Sequence, residues 1–423
     1  MLFLRKKYLE KFLSYKENDN LLLILGARQV GKTSFIKSLI ENWYISNEVY
    51  LRGEEFLWKE FLPKDFVDFL DLKYNVFSKK FLIIDEAQNI KNIGLILKYL
   101  IDLIKYKNLK LKVIVLGSWS LKLFHGLTDS LIGRYDSIKM YPFSFDEFLE
   151  IKGLDVNRIS FSNIGKWVLD VIQDFFKEYK IFWGYPKVIL SKTIDEKKLT
   201  FKNIVESYLM KDVLWFINRQ QLWNFERFLK YFVINIGSLL KIEVLARKLD
   251  IKRQDIQKFL DIIRSTYIFD VIQPFYGKLN YEIKKATKGY FNDVWWINYF
   301  IWFSEIFTDI EWKIIENFVY NQIVTNIPSY RDIKFWQNRN KSEVDFILVD
   351  NFEKKIVPVE VKIKSKDIIP KALLSFINTY KKAIKFAIVT TDWIIKIRNL
   401  EGIKIYFIDY RLIWLIKEIL QNN

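Results

Sequence analysis

The sequence predicts an α/β protein of several domains. Three observations carry that expectation: short apolar runs alternate with helix-period segments over the first third, an aromatic-rich middle is patterned mostly as helix, and strand-like alternation returns at the end. At 423 residues the chain exceeds the about 250–300 residues at which a single core stops growing, so two to four compact units are expected. An apolar fraction of 51% beside 28% charged residues describes a core-rich chain, and disorder is not expected over any long stretch.

In the first third, Leu21–Leu25, Phe81–Ile84 and Val113–Leu116 have the length and apolarity of buried parallel strands, with helices expected over Ser34–Trp43 and Ile93–Lys105. A doubly wound domain is therefore assigned to residues 1–150, ending near Phe148 after Pro142. Residues 151–290 form the helical middle. Within it, Ile242–Leu249 and Ile251–Ile263 read as two helices meeting at Asp250, and Phe269–Phe291 alternates like a β-hairpin, an order that resembles a winged helix-turn-helix. Residues 291–423 read as a second α/β domain: a helix over Glu311–Ile327, strands at Ile333–Gln337, Glu343–Val349 and Ile356–Ile363, a helix at Lys371–Tyr380 and a strand at Phe386–Thr390. No internal repeat is visible, and 14 glycines and 7 prolines are too few for flexible tethers.

Composition narrows the chemistry. With no cysteine and one histidine, His125, the chain has no thiol nucleophile, disulfide, iron–sulfur cluster or Cys/His zinc site. Any metal falls to oxygen ligands, which suits magnesium or manganese. A formal charge of +17 favours polyanions, and DNA or RNA is the expected class of partner. The opening MLFLRKKYLEKFLSYKEN carries charge where a signal peptide needs an apolar centre and reads as an amphipathic helix. The longest aromatic-aliphatic run, Val294–Ser304, is well short of the ~20 residues that span a bilayer, so a cytoplasmic protein without membrane contact is expected.

The strand LLLIL runs into GARQVGKT and then into a helical segment, which is the P-loop pattern. Gly26, Ala27, Arg28, Gln29, Val30 and Gly31 would wrap backbone N–H groups around phosphates. Lys32 would reach the β/γ-phosphates, Thr33 would ligate magnesium, and the helix start at Ser34 would add its positive dipole end. The expected cofactors are ATP and Mg2+. At the end of FLIIDEAQ, Asp85 is expected to hold the metal through water and Glu86 to polarise the attacking water, a second carboxylate that a P-loop kinase would not require. Ser118, ending VIVLGS, is a candidate γ-phosphate sensor, although a hydroxyl at a strand end is also common turn chemistry. Arg134 in LIGRYDSI either stabilises phosphate charge in cis, reaches a neighbouring subunit's nucleotide, or is a surface ion-pair residue. His125 reads as a packing residue.

The segments GARQVGKTS, LIIDEAQ, GSWS, LIGRYDSI, YPFSFDEFL, WGYPKVIL, SYLMKDV, ENFVYNQI, SEVDFIL and PVEVKIK, in that order, resemble bacterial and archaeal AAA-like ATPases. That family is related to the archaeal and STAND-type ATPases and carries a C-terminal domain of unknown function resembling restriction endonucleases. The resemblance spans most of the chain and implies an ATPase core, a helical lid with a winged-helix module, and a nuclease-like end. One departure is Ala27, where proline is usual; it alters loop stiffness and not phosphate chemistry.

Asp345 lies in EVDFILV, and Glu360 and Lys362 lie two apart in PVEVKIK, a spacing that puts both side chains on one face of a strand, as in the PD-(D/E)xK arrangement. Asp345 and Glu360 would then hold a metal against a scissile phosphate, Lys362 would stabilise developing charge, and Glu316 on the preceding helix would complete the metal shell. A strand with outward charges is the plain alternative. Lys252, Arg253, Gln254 and Lys258 on the second helix of the winged-helix candidate would meet DNA, or else serve in an internal lid. The expected function is an ATPase whose nucleotide state controls a DNA-directed nuclease-like domain. The alternatives are a nucleotide-dependent binding switch that cuts nothing and a homo-oligomer completed by Arg134.

Overall fold

The computed structural model describes all residues except 1, 2, 58, 119–130, 132, 183, 277–285, 304–310, 329, 330, 339 and 365, so His125 lies outside the described residues. Two compact units are present. The first comprises Met1–Pro142 with Ser265–Ile268, and the second Phe143–Arg264 with Phe269–Asn423.

In the first unit the strands β1 (Leu21–Leu25), β2 (Glu48–Arg52), β3 (Phe81–Asp85), β4 (Lys112–Gly117) and β5 (Tyr135–Lys139) form one parallel sheet in the order β2-β3-β4-β1-β5. Helices α1 (Lys6–Lys16), α2 (Lys32–Glu41), α3 (Pro63–Tyr74) and α4 (Ile93–Tyr106) accompany it. The three strands β1, β3 and β4 are buried along their whole length because helices or neighbouring chain cover both faces. Leu21, Leu23 and Leu25 join a core with Phe66, Val67, Leu70, Leu97, Leu100 and Ile104 from α3 and α4. The alternate residues Leu22 and Ile24 are equally buried. Each such leucine contributes about 1.5–3 kcal/mol relative to an exposed one.

The three apolar runs thus form the strands expected of them, and β2 and β5 complete the sheet. β2, EVYLR, escapes the apolar-run criterion because it begins and ends in charge and is buried only at Val49 and Leu51. The first unit stops at Pro142, a few residues before the boundary expected near Phe148.

The second unit is built on a nine-stranded mixed sheet in the order β13-β14-β12-β11-β10-β9-β7-β8-β6. Its strands are β6 (Leu239–Leu240), β7 (Phe269–Pro274), β8 (Thr287–Phe291), β9 (Arg331–Gln337), β10 (Glu343–Asp350), β11 (Lys355–Glu360), β12 (Ala387–Thr391), β13 (Lys396–Leu400) and β14 (Ile403–Asp409). Two helices, Ile242–Leu249 and Arg253–Ser265, lie between β6 and β7, with Asp250 left-handed at their junction (φ 52°). β7 pairs antiparallel with β8 on one side and parallel with β9 on the other, Gln273 facing Lys334 and Pro274 facing Phe335. The boundary expected at residue 290 therefore falls inside one sheet and one compact unit.

Candidate nucleotide site and a second carboxylate cluster

β1 delivers the chain to the phosphate-binding sequence, and the geometry there leaves room only for glycine at its first position. A Cβ on Gly26 would stand 2.3 Å from the carbonyl oxygen of Met140, because the backbone crosses next to β5's exit, where Met140 N donates to Leu25 O at 2.7 Å. Gln29 and Gly31 take left-handed backbone (φ 65° and 97°), and Gly31 caps α2 directly. Ala27 and Val30 are buried, Arg28 is partly buried, and Gln29 and Ser34 are exposed. Lys32 is buried, and its Nζ donates to the carbonyls of Gly26 (2.9 Å) and Ala27 (3.0 Å), folded back over its own loop. The buried guanidinium of Arg5 straps the loop from behind, donating to Val30 O (3.3 Å), Tyr141 O (2.8 Å) and Pro142 O (3.2 Å).

The loop and the end of β3 meet through Thr33, whose Oγ1 donates to Asp85 Oδ2 at 2.7 Å. The same oxygen accepts the Tyr50 hydroxyl at 2.6 Å from β2, and Asp85 Oδ1 accepts the backbone N–H of Glu86 at 2.9 Å. Burial, and then the adjacent Asp85, push the Tyr50 phenol well above its ordinary range, so Tyr50 stays a donor. Glu86 itself has left-handed backbone (φ 49°), and its carbonyl oxygen would lie 2.2 Å from a Cβ on Gly53, which holds the turn close to the end of β2. Gln88 joins the remaining parts. Its Nε2 donates to Glu86 Oε2 and, at 3.0 Å, to Oγ of the buried Ser118, which follows β4 between the strands of the other two motifs.

A hydroxyl and a carboxylate converging on each other are hard oxygen donors of the kind magnesium takes, so Thr33 and Asp85 fit that ion. Lys32, Thr33, Asp85, Glu86 and Ser118 thus gather at the C-terminal edge of the sheet. Arg134 does not. It precedes β5, its carbonyl accepts Leu21 N at the start of β1, and β1 and β5 run in parallel register from that end. A five-residue strand separates it from the loop by about 15 Å, and its Nη2 lies 3.3 Å from Asp102 Oδ1. Of the three readings of Arg134, the ion pair agrees with this placement and a contact to phosphate in cis does not, because a motif gives a residue type and not its height along a strand. Tyr50, Gln88 and Arg5 went unrecognised in the sequence; of these only Gln88, inside DEAQ, carried a local signal.

In the second unit, Asp345, Glu360, Lys362 and Glu316 come together with residues that sequence reasoning passed over. Asp345 lies where the β10–β9 register shifts between Val344 and Ile347. Its Oδ2 accepts Val361 N at 2.7 Å. The strand expected over Ile356–Ile363 ends at Glu360, since Val361 N is taken by Asp345 and Lys362 N by Thr390 Oγ1 (3.0 Å) in place of ladder partners. Lys362 therefore does not share a strand face with Glu360; it reaches back past the strand end to donate from Nζ to Glu360 Oε1 at 2.6 Å. Glu360 is buried, and its Oε2 has no hydrogen-bond partner among the described residues. Burial, then the Asp345 charge, raise its pKa to about 8.

Glu316, buried on the helix Glu311–Asn326, is raised to about 7 by burial and is held by Tyr290 Oη at 2.7 Å and Lys288 Nζ at 3.7 Å. Lys288 also donates to Glu343 Oε1, whose other oxygen accepts Gln337 Nε2 at 2.9 Å. Burial lowers the Lys288 pKa, but Glu316, Glu343 and Asp345 outweigh it and keep the ammonium charged. The sequence expects Glu316, Asp345 and Glu360 to share a metal; among the described residues no group of three or more such side chains is arranged to hold a metal ion. Glu316 is engaged by a lysine and a tyrosine instead.

Residues 18–149 match an AAA domain, residues 173–303 a domain of unknown function (DUF8612), and residues 313–408 a second domain of unknown function (DUF4143). An uncharacterized protein of Methanocaldococcus jannaschii is 25% identical over 87% of this chain and 79% of its own length. Another, from Haemophilus influenzae, is 24% identical over 68% of each. Among solved structures, a RuvB variant of Thermotoga maritima is 14% identical over 63% of this chain and 87% of its own, with a TM-score of 0.30. AMPPCP-bound DnaA from Aquifex aeolicus is 14% identical over 61% and 87%, with a TM-score of 0.28. Among the described residues no helix is long and apolar enough to cross a membrane. A phosphate-binding loop joined through Thr33 to the acid at the end of β3, on a five-stranded parallel sheet, agrees with the first of the family matches: residues 18–149 are an AAA domain of the P-loop NTPase family.

Proposed function

We propose that the chain binds and hydrolyses Mg-ATP in its AAA domain and that the nucleotide state controls a nuclease-like, DNA-directed second unit. The observation that carries the ATPase reading is the 2.7 Å hydrogen bond from Thr33 to Asp85, which couples the phosphate loop to the metal-binding acid. Magnesium, held by Thr33 and Asp85, would supply charge neutralisation at the phosphates. Lys32 would exchange the carbonyls of Gly26 and Ala27 for phosphate oxygens. Glu86, tethered by Gln88, would take the proton of the attacking water. Ser118, on the same amide, is suited to report the γ-phosphate to Glu86.

DNA direction is supported by the +17 charge and by exposed Lys252, Arg253, Gln254 and Lys258 at the start of the helix Arg253–Ser265. The order of β6, two helices, β7 and β8 supports a winged helix-turn-helix, and Asp345, Glu360 and Lys362 at adjoining strand ends support a nuclease-like fold. The test is ATP turnover with and without DNA, beside cleavage assays of the wild type, Asp345→Ala and Glu360→Ala. DNA-stimulated turnover with cleavage lost in both variants is expected. No turnover, or cleavage equal in all three, refutes the respective half.

A second reading, a nucleotide-dependent binding switch that does not cut, is favoured by one observation: Glu316 is engaged by Lys288 rather than left open to a metal. A homo-oligomer completed by Arg134 stands apart from both and requires turnover per protomer to rise with protein concentration.

A further inference from the structure

Lys288 is an unusual residue to find in a carboxylate cluster at strand ends. It is buried, and its backbone is fixed in β8 between Leu239 and Ile272, so the stem has little freedom to withdraw. Its ammonium donates to Glu343 Oε1, lies 3.7 Å from Glu316 Oε1 and stands 5.4 Å above the Phe335 ring. A buried ammonium is retained only where carboxylates compensate it, and here two do so directly.

The other close contacts of Glu316 gather about the same carboxylate oxygen. Tyr290 donates to the same Oε1 at 2.7 Å, and the backbone of Gly237 presses so near that an added Cβ would stand 2.8 Å from Oε1 and 3.3 Å from Oε2. Gly237 is left-handed (φ 69°), a conformation glycine adopts without strain. Glu343 is satisfied by Lys288 and Gln337, and Asp345 by the backbone of Val361. An ammonium and a divalent ion cannot occupy the same side of one carboxylate, because each repels the other at contact distance.

We propose that Lys288 is the resident cation of this cluster: it takes the place beside Glu316 that a divalent metal would need, so Glu316 is not a metal ligand. The inference deepens the non-cutting reading of the second unit, and it is tested without any cleavage assay, so a chain that fails to cut DNA leaves the outcome unaffected.

Mn2+ binding is measured by EPR on the full-length chain without nucleotide, in an Asp85→Asn background that removes the first unit's metal-binding acid. Glu316→Gln is expected to leave Mn2+ affinity within about twofold. Lys288→Met is expected to raise it at least tenfold, and Lys288→Met with Glu316→Gln to abolish that gain; Lys288→Arg, which keeps the cation, should show none. A tenfold loss of affinity on Glu316→Gln with Lys288 intact, or no gain on Lys288→Met in a chain whose circular dichroism is native, overturns the proposal. Should Lys288→Met fail to fold, the Glu316→Gln comparison decides alone.

Discussion

On the proposed function, replacing Gln88 by alanine is expected to separate nucleotide binding from hydrolysis. The Gln88 amide donates to Glu86 Oε2 and to Ser118 Oγ, whereas Lys32 is held by the carbonyls of Gly26 and Ala27 and Thr33 by Asp85. Glu86 sits on a left-handed turn, so its backbone is defined while its carboxylate depends on this tether. A hydrogen bond to a charged group contributes about 1.5–3 kcal/mol, and each 1.4 kcal/mol is tenfold in rate, so losing the tether where water is activated lowers kcat by about 10- to 150-fold. KM for ATP should change little, because the loop's own contacts persist. Steady-state phosphate release as a function of ATP concentration reads both parameters. Unchanged kcat in Gln88→Ala, or a fall confined to KM, contradicts the assignment of Glu86 as the group that activates water.

Three further outcomes follow from other parts of the molecule. In Gly26→Ala the new Cβ meets the Met140 carbonyl, which cannot move as a side chain would; a loss of about 1–3 kcal/mol with weakened ATP binding is expected, and a wild-type Tm with wild-type affinity contradicts it. Because Arg134 lies at the far end of β1 and β5, Arg134→Ala should leave ATP turnover in dilute protein within about threefold; a hundredfold drop there would restore a role in cis. Burial raises Glu360 from its ordinary 4.5 to about 8, so the folded state keeps a proton that the unfolded chain has released. Its stabilising effect is whole below about pH 4.5 and is lost as pH rises through about 8. Urea midpoints between pH 5 and 9 should fall more steeply for the wild type than for Glu360→Gln, and equal slopes argue against it.

Much of the first unit was legible because β1, β3 and β4 are buried on both faces and read as apolar runs, as Leu21–Leu25 shows, whereas β2 and β5 are only partly buried. The phosphate loop was legible for another reason: backbone turning and phosphate chemistry leave few residues that will serve at Gly26, Lys32 and Thr33. What stayed hidden depends on contacts distant in sequence. Nothing local in QPF says that Gln273 and Pro274 will pair with Lys334 and Phe335 and fuse the middle and last thirds into one sheet. Lys362 was expected on a strand because its neighbours alternate, yet Asp345 and Thr390 capture the N–H groups that would extend the ladder. Tyr50 and Lys288 were illegible in the same way, for each acquires its partner only when two strands or a strand and a helix are brought together.

The central claim is that Lys32 and Thr33, facing Asp85, bind Mg-ATP for attack by a water that Glu86 activates. Single-turnover release of phosphate from radiolabelled ATP, comparing the wild type with Lys32→Ala at matched fold and concentration, tests it most directly. Release that falls at least a hundredfold in Lys32→Ala is the predicted result. Equal release from both proteins, or none from the wild type with Mg2+ present, contradicts the account.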